Sequence, residues 1–259
     1  MDGLNISSIS CQANFNNTIM ITTQLSEQTE IVRKRIKEAS ELTGRTADQI
    51  TLIAVSKTQS IAAIEAAYEC GIRHFGENRS SELQEKAKAL SHLKGIQWHF
   101  IGTLQSRQAH LVAGHAQVFH AVDRISIAKI LSAELEKVSK SIGVFVQVNV
   151  SGEESKSGFD CSNWETDVQQ QNTLSASMTE IMQFPNLELK GLMTMAPATA
   201  TPEEIRTIFK RTKKLFEWVK TRFPNNDFNH LSMGMSGDFE IAIQEGATHV
   251  RVGSAIFKH

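Results

Sequence analysis

The sequence predicts an α/β fold, a single (β/α)8 barrel with an extra helix in front of it. Three observations carry that expectation. Short apolar runs alternate with helical patterns eight times over about 210 residues, which calls for a parallel sheet with crossover helices, closed rather than open. No GxGxxG fingerprint follows the first run, which disfavours the runner-up, a doubly wound sheet with a dinucleotide crevice. No change of composition marks a second domain.

In chain order, residues 1–22 are polar and rich in Asn and Ser, and read as a disordered extension, leaving 23–259 as the barrel domain. LSEQTEIVRKRIKEASELTG has helical spacing (Leu25, Ile31, Val32, Ile36, Ala39, Leu42) and stops at Gly44. Strand-like runs follow at about 51–56, 72–76, 96–101, 117–122, 143–150, 188–195, 227–231 and 248–252. Between them, Ala128, Leu131, Leu135 and Val138 keep a 3–4 spacing. TPEE announces another helix, with Thr201 as cap, Pro202 at the first helical position and Glu204 completing a capping box. Residues 151–180 read as a long loop running into a helix.

Bulk properties exclude several classes. A formal net charge of −1 gives no general attraction to nucleic acid or anionic membrane, and RKRIK (33–37) and KRTKK (210–214) fall on amphipathic patterns as solvated helix faces. Three dispersed cysteines without a CxxC argue against a disulfide framework and a thiolate zinc site. No HExxH or HxH occurs, so no metal site is expected. The lack of an apolar span or signal pattern makes the cytoplasm the expected compartment, and a single closed barrel is expected to be a monomer.

In such a barrel the chemistry sits where strands end. Those positions hold Ser56-Lys57, Gly76-Glu77-Asn78-Arg79, His99 with Gly102, Asn149 with Ser151, LSMGMSGD (231–238) and RVGSAIF (251–257). Ser232, Gly234, Ser236 and Gly237, facing Gly253 and Ser254, would let backbone N–H groups close on an anion such as phosphate. Lys57 ends an apolar strand. Buried there, it would lose its proton and become the amine that condenses with an aldehyde, as pyridoxal 5′-phosphate requires. Two other readings stand beside this one: an ion pair with Glu77, and the lysine of a sugar-phosphate aldolase.

IAVSKTQ, HFGENR, WHFIGTLQS, GLMTMAP and LSMGMSGDFEIAIQEGATHVRVGSAIF resemble the YggS/PROSC family of pyridoxal phosphate homeostasis proteins, from about residue 25 onward. That family is similar to the N-terminal barrel of alanine racemase, the fold-type III barrel. The resemblance implies that Lys57 carries pyridoxal 5′-phosphate as an internal aldimine. It further implies that Ser232, Gly253 and Ser254 hold the phosphate, that Arg251 approaches the pyridine nitrogen, and that Asn78, His99 and Asn149 line the ring pocket. Thr103, Arg107 and Gln108 depart from the family's usual residues, as do the ending at Lys258-His259 and the 1–22 extension.

The resemblance implies a protein that carries or buffers the cofactor in vitamin B6 and amino-acid homeostasis, with apo-enzymes that use it as partners. The alternative is a racemase-like enzyme. A two-base racemase needs a tyrosine opposite the lysine, supplied from a second domain. The one tyrosine here, Tyr68, lies on a helix stripe with Ile61 and Ile64, and the chain ends about one turn after the last strand. The expectation is therefore no catalytic turnover. Lys156, in GEESKSG, is expected to be exposed to solvent.

Overall fold

The computed structural model describes residues 6–153, 155–224 and 227–257, with side chains described from Thr22 onward. The segment 1–22, for which disorder was expected, falls on residues 1–5, outside that set, on 6–21, whose side chains lie outside it, and on Thr22. Helix α1 spans Ile6–Glu41. There follow β1 (Thr51–Val55), α2 (Ile61–Glu69), β2 (His74–Glu77), α3 (Ser80–Ala89), β3 (Gln97–Phe100), α4 (Ala109–His115), β4 (Val118–Val122), α5 (Ile125–Lys137) and β5 (Ile142–Asn149). A two-residue strand β6 (Phe159–Asp160) precedes α6 (Val168–Met182), β7 (Leu187–Met193), α7 (Pro202–Arg222), β8 (His230–Met235), α8 (Phe239–Gln244), β9 (His249–Val252) and α9 (Ser254–Phe257).

The strands run β4-β3-β2-β1-β9-β8-β7-β5, and pairing of β4 with β5 closes the ring, with β6 added beside β5. All of these pairings are parallel. The expected eight-stranded barrel is thus observed, with one displacement. The seventh barrel strand is His230–Met235, not 227–231, so LSMGM belongs to the strand and the turn is confined to Ser236–Asp238. Ser232 and Gly234 look like turn residues in sequence, but the polar interior described below accommodates both.

Side chains alternate across each strand. Ala54, Phe75, Trp98, Phe119, Leu192, Leu231 and Val252 face outward into one core shared with Ile64, Leu83, Leu131 and Phe209 of the helices. Each of the larger aliphatic and Phe side chains contributes about 1.5–3 kcal/mol by leaving water. The last βα unit ends in a helix of only four residues. Helix α1 fills that gap by packing against α2, α8 and α9. It is fastened there by Arg35 on Glu240 at 2.5 Å and by Arg45 donating to the carbonyls of Ala247 and Ile243 at the end of α8. Leu25, Val32, Ile36 and Ala39 are buried as expected, whereas Ile31 is exposed and Leu42 lies beyond the helix and is exposed. Thr201 caps α7 in the expected capping box, with Pro202 in its first turn. Among the described residues, no helix is long and apolar enough to cross a membrane.

Candidate functional site

Lys57 stands one residue past buried Ser56 at the C-terminal mouth, and is itself exposed. The backbone on either side of it is fixed from beneath. The Ser56 hydroxyl donates to Glu77 Oε1 at 2.6 Å. Lys86, reaching in from α3, donates to the Ser56 carbonyl at 2.8 Å, to Glu77 Oε1 at 2.8 Å and to Glu82 Oε2 at 3.1 Å. Glu82 in turn accepts the Thr58 N–H at 3.0 Å, which steadies Thr58 in the left-handed region at φ 64°. Burial pushes the Glu77 carboxyl up, against the hydrogen bonds from Lys86 and Ser56. The Thr58 N–H is the main cause holding Glu82 down.

Two expectations are corrected here. The partner of Glu77 is Lys86, nine residues along the same βα unit, so the ion-pair reading of Lys57 fails. Nor is Lys57 desolvated by an apolar wall. The strand's burial ends at Ser56, and the next residue emerges into the open mouth.

The β1–β9 register sets Ala54 against Val252, which brings Gly253 beside the end of β1. A Cβ on Gly253 would lie 3.3 Å from the Val55 carbonyl, so the closeness of the two strand ends favours glycine. The N–H groups of Gly253 and Ala255 converge on one oxygen, Ser236 Oγ, at 3.1 and 3.4 Å. Ser254, exposed between them, opens α9. Sequence reasoning placed Ser232 and Gly234 on this cup, and the structure does not. Gly234, at φ 96°, lets α8 approach: its Cβ would lie 2.6 Å from Ala242 Cβ. Ser232 is fully buried inside the barrel.

Inward-facing positions follow from the registers, since partners in a parallel ladder share a face. Ile53 pairs with Arg251, Val55 with Gly76, Gly76 with His99 and Ser232 with His249. Alongside Ile53 and Val55, the lumen therefore holds a set of polar side chains. Arg251 donates to Ser232 Oγ at 2.6 Å and to the Thr194 carbonyl at 3.0 Å. Below it, His120 Nδ1 lies 2.9 Å from Ser232 Oγ, His99 Nδ1 2.8 Å from His120 Nε2, and His74 Nδ1 2.9 Å from His99 Nε2. His249 packs edge-on against His230 and Phe145. Burial pushes the Arg251 guanidinium down to about 10, with Asp238 opposing. It pushes His249 down to about 3, and holds His99 and His120 well below the usual imidazole range.

The other candidates divide. Asn78 is exposed at the mouth, with Gly102 packed on its backbone. Both ring nitrogens of His99 are taken by His74 and His120, so it supports the barrel centre and does not line a ring pocket. Asn149 is engaged locally, accepting from Ser151 Oγ and the Gly152 N–H and donating to the Glu153 carbonyl. Lys156 is not the solvent-exposed residue expected. Its side chain is 17% exposed, its amine donates to the Ala196 carbonyl at 2.8 Å beside the end of β7, and burial lowers its pKa. Tyr68 lies away from the mouth, its hydroxyl donating to the Lys94 carbonyl ahead of β3 at 2.9 Å and its face covered by Arg73.

Sequence reasoning missed Lys86, the burial of Lys156 and the lumen imidazoles His74, His120, His230 and His249. The last had a signal: in HFG, HFI, HAV, HLS and HVR a histidine stands within a strand run, opening it in three of the five, each at an inward position.

The alanine racemase N-terminal domain family matches residues 30–259. Curated relatives called pyridoxal phosphate homeostasis protein include that of Pseudomonas aeruginosa, 40% identical over 90% of this chain and 94% of its own. Those of Escherichia coli and Aquifex aeolicus are 38% and 36% identical, over 87% and 89% of this chain and 92% and 96% of theirs. Among solved structures, PipY of Synechococcus elongatus with PLP bound matches at TM-score 0.76 and 31% identity, over 90% of this chain and all of that one. A Clostridium difficile alanine racemase, TM-score 0.65 at 15% identity over 92% of this chain and 60% of that one, shares the fold alone.

Proposed function

The chain belongs to the family of pyridoxal phosphate homeostasis proteins, and on that premise we propose that it binds pyridoxal 5′-phosphate at the barrel mouth and holds it for delivery, without catalytic turnover of its own. The observation that carries the reading is the juxtaposition, at adjacent strand ends, of the exposed Lys57 amine and the paired N–H donors of Gly253 and Ala255, with buried Arg251 on the inward face of the same strand.

The residues suit that ligand. Two backbone donors already converge on an oxygen at Ser236, an arrangement that fits a phosphate oxygen as well as a hydroxyl. Lys57 would attach the ligand by condensing with its aldehyde, losing water. Arg251 can only donate, so a pyridine nitrogen facing it stays unprotonated. The ligand supplies an aldehyde that passes readily between amines, and an open mouth suits such exchange better than protected carbanion chemistry. The remoteness of Tyr68 from the mouth supports a carrier over a two-base racemase. Apo-enzymes that use the cofactor would be the recipients, met in the cytoplasm by a monomeric donor.

The test is the visible spectrum of the wild type and of Lys57→Ala after incubation with pyridoxal phosphate and desalting. A yellow band retained only by the wild type is expected. A colourless wild type would overturn the reading and make sugar phosphates the next ligands to try.

A further inference from the structure

The lumen contains a continuous hydrogen-bonded line that cofactor attachment does not call for. It runs from Arg251 through Ser232, His120 and His99 to His74, with successive separations of 2.6, 2.9, 2.8 and 2.9 Å. Ser232, His99 and His120 are buried. His74 is half-buried and lines a cleft of about 770 Å³ at the opposite end of the barrel, between α1 and the starts of β1 and β2.

Hydrogen-bond bookkeeping gives this line a direction. A guanidinium has donors only, so Ser232 Oγ must accept from Arg251. The hydroxyl proton of Ser232 is then left for His120 Nδ1, its other partner within hydrogen-bond distance. A neutral imidazole carries one donor and one acceptor. His120 therefore bears its proton on Nε2 and donates to His99 Nδ1; His99 does the same toward His74 Nδ1; and His74 directs its own Nε2 proton onward. The opposite sense would give Ser232 two incoming donors and no partner for its own proton. Burial, which disfavours the charged form of His99 and His120, keeps these rings neutral.

We propose that His120, backed by His99 and His74, is a positioning residue for Arg251: a one-way relay that locks the three imidazoles as Nε2–H tautomers and leaves Ser232 free to accept from the guanidinium. Its bearing on the ligand rests on the function proposed above, in which Arg251 faces the ring nitrogen. The tautomer pattern does not rest on it. The charged groups facing the ends of the line are Arg251 and, through it, Asp238 at the mouth. At the cleft they are Glu30, Arg33, Lys34 and Lys37 of α1, with Asp48 and Arg73. His249 faces the line from β9.

Two readouts test the relay. Long-range ¹H–¹⁵N correlation spectra of the ligand-free wild type at neutral pH should show His74, His99 and His120 all protonated at Nε2 and bare at Nδ1. Any of the three protonated at Nδ1 or doubly protonated overturns the direction assigned. For positioning, His120→Asn keeps an oxygen near the Nδ1 position and should hold pyridoxal phosphate as the wild type does. His120→Phe and Ser232→Ala should each release it about tenfold faster, the worth of a hydrogen bond to a charged group. Wild-type release from both His120→Phe and Ser232→Ala, or equal loss from His120→Asn and His120→Phe, would overturn the positioning role. A wild type that never takes up the ligand would refute the proposed function and, with it, the relay's bearing on a ligand, while the spectra would still decide the relay.

Discussion

Acid should unfold this protein well above the pH at which its surface carboxylates protonate. The perturbation is a fall from pH 7 to pH 5. His249 is pushed down to about 3, first by burial and then by His230, His74 and Arg251. An imidazole in the unfolded chain titrates near 6.5. Between these values the unfolded state binds a proton that the folded state refuses, so stability rises with pH and is lost on acidification. At pH 5 the difference from 6.5 is about 1.5 pH units, or about 2 kcal/mol from this one residue. His99 and His120, lowered by burial and by their neighbours, act with the same sign, as do half-buried His74 and His230. Glu77 and Asp238, raised by burial, act oppositely, gaining stability as pH falls through their folded values. With total stabilities of about 5–15 kcal/mol, the imidazoles decide the outcome. Urea unfolding followed by tryptophan fluorescence at pH 7.5, 6.5, 5.5 and 5.0 (each chosen pH about half to one unit apart) should show a falling free energy. His249→Leu should flatten that dependence by about one proton. A stability that is level or rises from pH 7 to 5 would mean that the buried imidazoles do not govern the acid response.

Other outcomes follow from the same structure. Lys86→Met leaves the buried Glu77 carboxylate without its cation and should cost about 3–5 kcal/mol in urea unfolding, part of which Lys86→Met combined with Glu77→Gln should restore. Lys86→Met should also loosen the Lys57 turn, seen as faster hydrogen exchange at the Thr58 amide, which Glu82 now holds. Gly191→Ala places a Cβ 1.6 Å from the His230 carbonyl, so it should break the β7–β8 pairing and give a chain that fails to fold or aggregates on expression. Gly237→Ala, where a Cβ meets nothing within 4 Å, is the control and should leave the unfolding midpoint nearly unchanged.

The fold was legible because the outward faces of the strands are apolar and the helices between them carry caps and regular stripes. Thr201-Pro202-Glu204 marks the start of α7 within a residue. The seventh barrel strand was misplaced because its inward residues, His230 and Ser232, are polar, which removes the apolar signal from the inward half of that strand. Lys57 and the Gly253-Ser254 turn were legible as strand-end residues of unusual type. The partners that hold them were not. Lys86 sits on an otherwise ordinary helix, and only the packing of α3 under β1 and β2 carries its amine to Ser56 and Glu77. Ser232 and Ser236 are both serines in a glycine-rich run. A shift of the strand boundary decided which of them reached the cup and which the barrel centre.

The attachment proposed above puts the ligand on Lys57 and not on Lys156, the second lysine near the mouth. The direct measurement is reduction of the pyridoxal phosphate-loaded wild type with borohydride, followed by digestion and mass mapping of the modified lysine. One phosphopyridoxyl group is expected, on the peptide containing Lys57. A label on Lys156, or spread over surface lysines with Lys57 unmodified, would contradict it.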